Sequence, residues 1–403
     1  MSPPLPAPTP IMTTRRTAIL GALLMAIGPI SMAIYTPAMP ELVNAFGTTE
    51  AAIKISLALY FAGFALAQLV SGPASDAFGR KAASLVFLSI YLAGGLIAVF
   101  APSVEFLLAA RLIQGIGVSV GMTVARAIVR DQFIGSEASS ILNLIGIMLA
   151  IGPAIGPTMG GLSLAAFGWH SVFWLMVGFG VISVVAVVFF LRETTVPDRK
   201  LIRPSNLVRA YAELLRNKRF LFAAMIMAGS VGALYAQATM LSFILINEVG
   251  LTPTGFGLSM LMQSGAYFSG SVALRFLVKI LGDRHSAILG LCCSGIGGTL
   301  MILSVFLLEP SFITIMGPVA VATFGIALIT PYIVTAAMAP FPHIAGSASA
   351  MMGFIQMSSG FIAGVMASLI GSPLLAFGTV IPFMEFMAIA GYIGFASFTR
   401  KTA

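Results

Sequence analysis

Uninterrupted apolar runs of about 20 residues recur along the whole sequence, and they constrain the fold more than any motif does. A helix rising about 1.5 Å per residue crosses the roughly 30 Å hydrocarbon core of a bilayer in about 20 residues. In lipid a non-helical span would strand its backbone hydrogen-bonding groups, so these runs are expected to be helices. Twelve are found, near 17–38, 52–72, 83–101, 105–127, 138–162, 171–191, 220–246, 254–279, 286–308, 311–338, 345–370 and 375–398. Hydrophobic residues make up 59% of the chain and charged residues only 8%. A soluble domain carries about 25% charged residues to cover its surface. The expected class is therefore an all-α integral membrane protein.

The few charges sort by connection. One alternate set holds Arg15 and Arg16, then Arg80 and Lys81, Arg130, the stretch from Arg192 to Arg219, Lys279 and Arg284, and finally Arg400 and Lys401. The other holds Glu41, Glu50, Glu105, Glu248 and Glu309, with Lys54 its one basic residue. Under the positive-inside rule both termini are cytoplasmic, and a miscount by one span would scramble the pattern. The formal net charge of +8 thus reads as a topology signal, with no nucleic-acid partner expected.

The Pro-rich start places a disordered cytoplasmic tail at 1–16, and Arg15 and Arg16 anchor the first span rather than mark a cleaved leader. A six-span bundle is expected at 17–191, a cytoplasmic linker at 192–219, a second bundle at 220–399 and a short tail at 400–403. Within the linker, Leu207, Tyr211, Leu214 and Leu215 recur at helical spacing among basic residues, as in a helix lying on a membrane face; a flexible linker is the alternative. The connections SDAFGRKAASL and VKILGDRHSAIL match at Gly79 and Gly282, a weak sign of two related halves. Cys292 and Cys293 are adjacent in an apolar run and suit neither a disulfide framework nor a metal site.

Three segments carry chemistry. In Gly72–Lys81, GPASDAFGRK, Gly72 and Gly79 permit a tight turn, while Asp76, Arg80 and Lys81 supply charge for a conformational latch; a generic basic turn is the plainer account. In LLAARLIQGIG, Arg111 lies several residues inside an apolar span, followed by Gln114 and Gly115. Such a charge costs on the order of 3 kcal/mol and normally faces a cavity or a partner, unless it snorkels to the surface. In GPAIGPTMGG, Gly152, Gly156 and Gly160 form one smooth helix face, Gly161 follows, and Pro153 and Pro157 bend the helix. A bent, close-packed helix suits a seal between bundles, with Gly156 and Pro157 at its centre.

These segments match signatures of the major facilitator superfamily, and nearly the whole chain resembles its bicyclomycin-resistance (Bcr/CflA) branch of drug–proton antiporters. YTPAMP, ARAIVRD, FGWHSVFW, RNKRF, FILINEVGLTPTGFG and AGSASAMMGFIQ carry the rest of the likeness. The resemblance implies twelve helices in two six-helix bundles, a central cavity, alternating access, and export of small drug-like molecules in exchange for protons across a bacterial inner membrane. It implies no cofactor, and a monomer suffices. Many relatives carry an aspartate two residues before the tyrosine of helix 1, where this chain has Ala33. The one acid well inside a span is Glu385, a candidate proton site, although the family fold puts helix 12 at the flank. Arg130 and Asp131 sit at the cytoplasmic edge as candidate gates. Candidate cavity residues are Tyr35, Tyr60, Gln68, Asn143, Gln237, Gln263, Tyr267 and Gln356; bonds between helices are their ordinary use.

Other classes fit less well. Gly117–Gly121 spells GxSxG, but mid-helix rather than at a strand–turn–helix elbow, and the three histidines fall in three different connections. No HExxH or Walker A sequence occurs, so no catalytic or metal site is assigned. Nothing resembles a channel selectivity filter. A facilitator or importer of a small metabolite on the same fold is the closest alternative.

Overall fold

The computed structural model describes residues 10–202 and 204–399. Residues 1–9 of the expected N-terminal tail and all of 400–403 lie outside the described residues. The described chain is helical and holds no strand. Its long helices are α1 (Thr14–Tyr35), α2 (Glu50–Phe78), α3 (Arg80–Val99), α4 (Val104–Arg130), α5 (Gly135–Phe167), α6 (Trp169–Phe190) and α7 (Lys218–Gln237). There follow α8 (253–281), α9 (283–307), α10 (Phe312–Met338), α11 (Ala345–Ile370) and α12 (Pro373–Thr399). Ten stretches have the length and hydropathy to cross a bilayer; one of them is α8 and α9 joined end to end, and the 33-residue α5 completes the twelve rods.

The joints follow local chemistry. Thr49 caps α2 by accepting from the Ala52 amide, and Ser311 forms a reciprocal capping box at α10. Gly79 separates α2 from α3 at φ 97°, and Gly282 separates α8 from α9 at φ 78°, a backbone region that side chains avoid. The two glycines matched in the sequence thus play the same role in each half. After α1, Pro37 and Pro40 replace regular helix by a 3-10 turn and the short helix Met39–Ala45, which continue the first rod to Ala45. Beyond α7, Leu241–Phe243 and a π-helical turn at Ile244–Glu248 continue the rod to Glu248.

α1–α6 form one bundle and α7–α12 the other, joined by the pairs α2–α11 and α5–α8. Large apolar side chains cover the exterior, among them Phe167 at 80% and Leu369 at 82% exposed, which only a hydrocarbon surrounding accommodates on this scale. In that solvent, burial gives helices little reason to associate, so close backbone packing must do it. α4 is the hub of the first bundle because its glycines admit three neighbours. A Cβ on Gly115 would strike the Tyr60 carbonyl of α2, one on Gly117 the Tyr91 backbone of α3, and one on Gly121 the Leu24 carbonyl of α1. The segment after α6 contains the helix Pro204–Arg216, which buries Leu214 and whose Tyr211 hydroxyl donates to the Leu69 carbonyl of α2 at 2.7 Å. Burial pushes the Tyr211 phenol up to about 12, so it remains a donor at any physiological pH.

Gly115→Ala is expected to destabilise the solubilised protein by about 1–3 kcal/mol, the usual cost of overpacking. Gly178→Ala, where a Cβ meets nothing within 4 Å, serves as the control. Thermal unfolding in detergent reads both, and equal melting temperatures would reject the hub.

Candidate functional site

Arg111 is fully buried at the centre of the first bundle. Its guanidinium carbon lies 4.2 Å from the Tyr35 ring centroid and 4.4 Å from that of Tyr60, so two phenol faces sandwich the cation. Nη1 donates to Gln114 Oε1 at 2.7 Å and reaches Met176 Sδ at 3.8 Å, while Nε and Nη2 have no partner. Hydrogen bonds fix the box around it. Tyr60 donates to the Gly28 carbonyl at 2.8 Å; Tyr35 meets Ser56 Oγ at 2.5 Å, and Tyr91 meets Ser31 Oγ at 2.6 Å. Arg111 therefore does not snorkel, and no carboxylate neutralises it among the described residues. Tyr35 and Tyr60 are walls of this box.

Ala33 lies at the contact between α1 and α5. A Cβ on Gly156 of α5 would lie 2.6 Å from the Ala33 Cβ, so α1 and α5 meet at this point. Gly152 faces Ile30 and Gly160 faces the Ile34 carbonyl in the same way. The Gly152–Gly156–Gly160 face thus packs α5 onto α1 inside its own bundle, which corrects the expectation that it seals one bundle against the other. The seal uses the next face. A Cβ on Gly161 would strike the Pro253 carbonyl of α8, one on Gly257 would lie 2.5 Å from the Pro157 carbonyl, and Thr254 Oγ1 approaches the Gly161 carbonyl at 3.4 Å. Pro157 belongs to the seam through its backbone; Gly156 does not.

The seam is most heavily bonded at the acidic end. Lys54 is buried there, donates to the Gly371 carbonyl just past α11 at 3.2 Å, and pairs with Glu50 at 3.7 Å. A cation at a helix C-terminus meets the negative end of the helix dipole. Ser368 Oγ donates to the Ala51 carbonyl at 3.1 Å, and Asn247 Nδ2 to Glu50 Oε1 at 3.1 Å. Lys54 stood out in the sequence only as the one basic residue among acids; its burial required the partner bundle to be seen.

At the basic end, Arg80 is nearly buried and serves as a junction. It pairs with Asp76, donates from Nε to Asp131 Oδ2 at 2.9 Å and from Nη1 to Ser75 Oγ at 2.7 Å. Glu193, just beyond α6, accepts the Arg80 and Lys81 amides at 2.8 and 3.1 Å, so a carboxylate caps the α3 N-terminus. Thr194 Oγ1 holds Asp131 Oδ2 at 2.8 Å, and Lys81 Nζ donates to the Val188 carbonyl at 2.7 Å. Gly72, by contrast, meets only Thr123 at 3.8 Å. Glu193, which no motif flagged, does the capping.

The remaining candidates scatter. Gln68 of α2 abuts Gly353 of α11 across the seam and donates to Met122 Sδ at 3.4 Å. Gln263 Nε2 donates to Gln237 Oε1 at 2.8 Å, tying α8 to α7. Tyr267 and Gln356 are half-buried on α8 and α11. The Asn143 side chain lies outside the described residues. Glu385 is fully buried on α12 and accepts from Ser294 of α9, with its Oε1 unpartnered. Beside it, Cys292, Gly295, Ile296, Thr299, Leu300 and Phe386 line an outward groove of about 420 Å³. Ser119 of the GxSxG match donates to the Ile116 carbonyl of its own helix at 2.8 Å, as a packing serine does.

The sequence model of the Major Facilitator Superfamily matches residues 18–364. The chain belongs to that superfamily. Among its relatives are an uncharacterized MFS-type transporter, YdgK, of Bacillus subtilis (26% identical over 389 residues, 95% of each chain) and multidrug resistance protein D of Escherichia coli (26% over 354 residues, 86% of this chain and 87% of that one). The fold matches a bacterial homologue of the human lysosomal transporter Spinster, in an inward-facing and unoccupied conformation, at TM-score 0.69 and 15% identity over 95% of each chain. It also matches human MFSD10 at TM-score 0.67 and 16% identity, over 95% of this chain and 99% of that one. The superfamily member described here is accordingly a multi-pass membrane transporter, not an enzyme.

Removing the buried charge tests what the Arg111 box is for. Each aromatic face contributes about 2 kcal/mol to a desolvated cation, while burying an ion costs several kcal/mol. Arg111→Met is expected to leave thermal stability unchanged or raised and to abolish transport. A fall in melting temperature with transport retained would make the arginine a packing residue.

Proposed function

We propose that this transporter exports small amphipathic molecules from the cytoplasm by alternating access, in exchange for protons. The observation that carries the reading is the seam. The two bundles meet along two helix pairs, α2–α11 and α5–α8, where glycines bring the helices close, a few side chains such as Phe61 and Tyr235 pack across, and a handful of hydrogen bonds cross, a contact limited enough for one bundle to rock against the other. In this reading the acidic end is periplasmic and is the closed end of this conformation, while the basic end carries both termini in the cytoplasm. Relatives named for multidrug resistance at 26% identity support drug-like cargo. The proton carrier in this reading is Glu385, the one fully buried acid among the described residues.

Expression in a pump-deleted bacterial host should raise the inhibitory concentration of a subset of amphipathic antibiotics, and a protonophore should abolish the effect. Unchanged susceptibility across a broad panel would reject export, and flux that survives the protonophore would point to a uniporter.

Glu385→Gln mimics the protonated acid. It should retain substrate binding and lose accumulation driven by an imposed pH gradient in proteoliposomes. Gradient-driven transport at the normal rate would instead assign Glu385 to the α9–α12 contact.

A further inference from the structure

Arg126 belongs to none of the arrangements above. It sits on α4, four residues before Arg130, so about 6 Å inside the basic end at 1.5 Å per residue. Its Nη1 crosses the seam and donates to Ser349 Oγ of α11 at 2.7 Å. The residue is nevertheless exposed, so the guanidinium borders open space between the bundles. Two tyrosines from the second bundle face the same region. Tyr235 of α7 lies within electrostatic reach of Arg126, and Tyr267 of α8 within reach of Tyr235.

The charge balance here is one-sided. Arg130 is the next cation along the same helix face, and a Cβ on Gly346 of α11 would lie 4.0 Å from its Nη1. Both arginines therefore approach the first turns of α11, which no side chain caps and where the helix dipole is positive. Of the carboxylates at this end, Asp76 and Asp131 serve Arg80, Glu193 caps the α3 N-terminus, Glu137 accepts from Thr14 Oγ1, and Asp198 and Glu213 have interactions of their own. Glu385 lies on the far side of the second bundle against Ser294. No ion pair to Arg126 occurs among the described residues. Two cations and a helix N-terminus with no ion pair to them among the described residues repel one another, and an arriving anion relieves that repulsion.

We propose that Arg126, with Arg130 and the start of α11 behind it, is a docking point for the carboxylate of an amphipathic substrate. The cargo class is thereby narrowed to small organic acids with an apolar body. An arginine fork matches a carboxylate through two parallel hydrogen bonds, and Ser349 is a neutral partner that the carboxylate displaces. The inference rests on the transport reading above and deepens it.

A matched pair of probes tests it: 1-naphthaleneacetic acid and its neutral amide, 1-naphthaleneacetamide. Calorimetric binding to the purified full-length chain in phosphatidylcholine bilayers is expected to favour the acid by about tenfold or more, the scale of a hydrogen bond to a charged group. Arg126→Gln should bring the acid down to the level of the amide, and Arg126→Lys should restore part of the preference. Melting temperatures of the variants confirm that they are folded. Equal binding of the two probes, no binding of the acid, or a preference that survives in Arg126→Gln would overturn the proposal. Arg126-dependent retention of added phosphatidylglycerol, without any preference for the acid over the amide, would make the residue a lipid contact and overturn it as well. Because binding is measured at equilibrium, an acid preference without gradient-driven flux would uphold this site and count against proton-coupled export.

Discussion

Close approach between helix backbones is the constraint on which this structure depends. In hydrocarbon an apolar side chain gains little by leaving lipid for another helix, so contact must be won by fit. Glycine supplies that fit at α4 against three neighbours and at α5 against α1. The consequence is rigidity within each bundle. Helices that touch backbone to backbone have no side-chain cushion to shear along, so the first bundle moves as a body or not at all. The box around Arg111 inherits that rigidity, because Tyr35, Tyr60 and Gln114 come from the helices that the glycines lock together.

Charge is placed where that rigid framework leaves room for it. At the basic end, carboxylates and cations alternate in space, with Arg80 satisfied by Asp76, Asp131 and Ser75 and the α3 N-terminus by Glu193. This network ties α2, α3, α4 and the segment after α6 into one unit. At the acidic end, Lys54 reaches a backbone carbonyl of the other bundle instead. The ion-pair network at the basic end stays within the first bundle and the segment after it, with Arg126 and Ser349 bonded across the seam there, while the acidic end is clasped between bundles by Lys54, Ser368 and Asn247.

Much of this was legible in the sequence for physical reasons. Hydrocarbon leaves no choice of secondary structure, so apolar length marked the twelve rods, and the charge alternation supported their even number. Gly79 and Gly282 announced matching joints because only glycine accepts the backbone they adopt. What could not be read was which face of a helix meets which neighbour. The glycine stripe of α5 is as smooth for α1 as for α8, and only the fold decides between them. The partners of Lys54, Arg126 and Glu193 were hidden for the same reason: each lies more than 100 positions away, so no local spacing marks it.

The assignment of the α5 stripe has a further consequence for motion. Because Gly152, Gly156 and Gly160 bind α5 to α1, the helix must travel with the first bundle. In the alternating-access reading the surface that slides is the Pro157–Gly161 side against Pro253–Gly257 of α8, where the two backbones approach closely and the Thr254 hydroxyl reaches the Gly161 carbonyl. Ala33 lies on this union: a Cβ added at Gly156 would come 2.6 Å from its methyl carbon, so the bare glycine sets how closely the two helices approach.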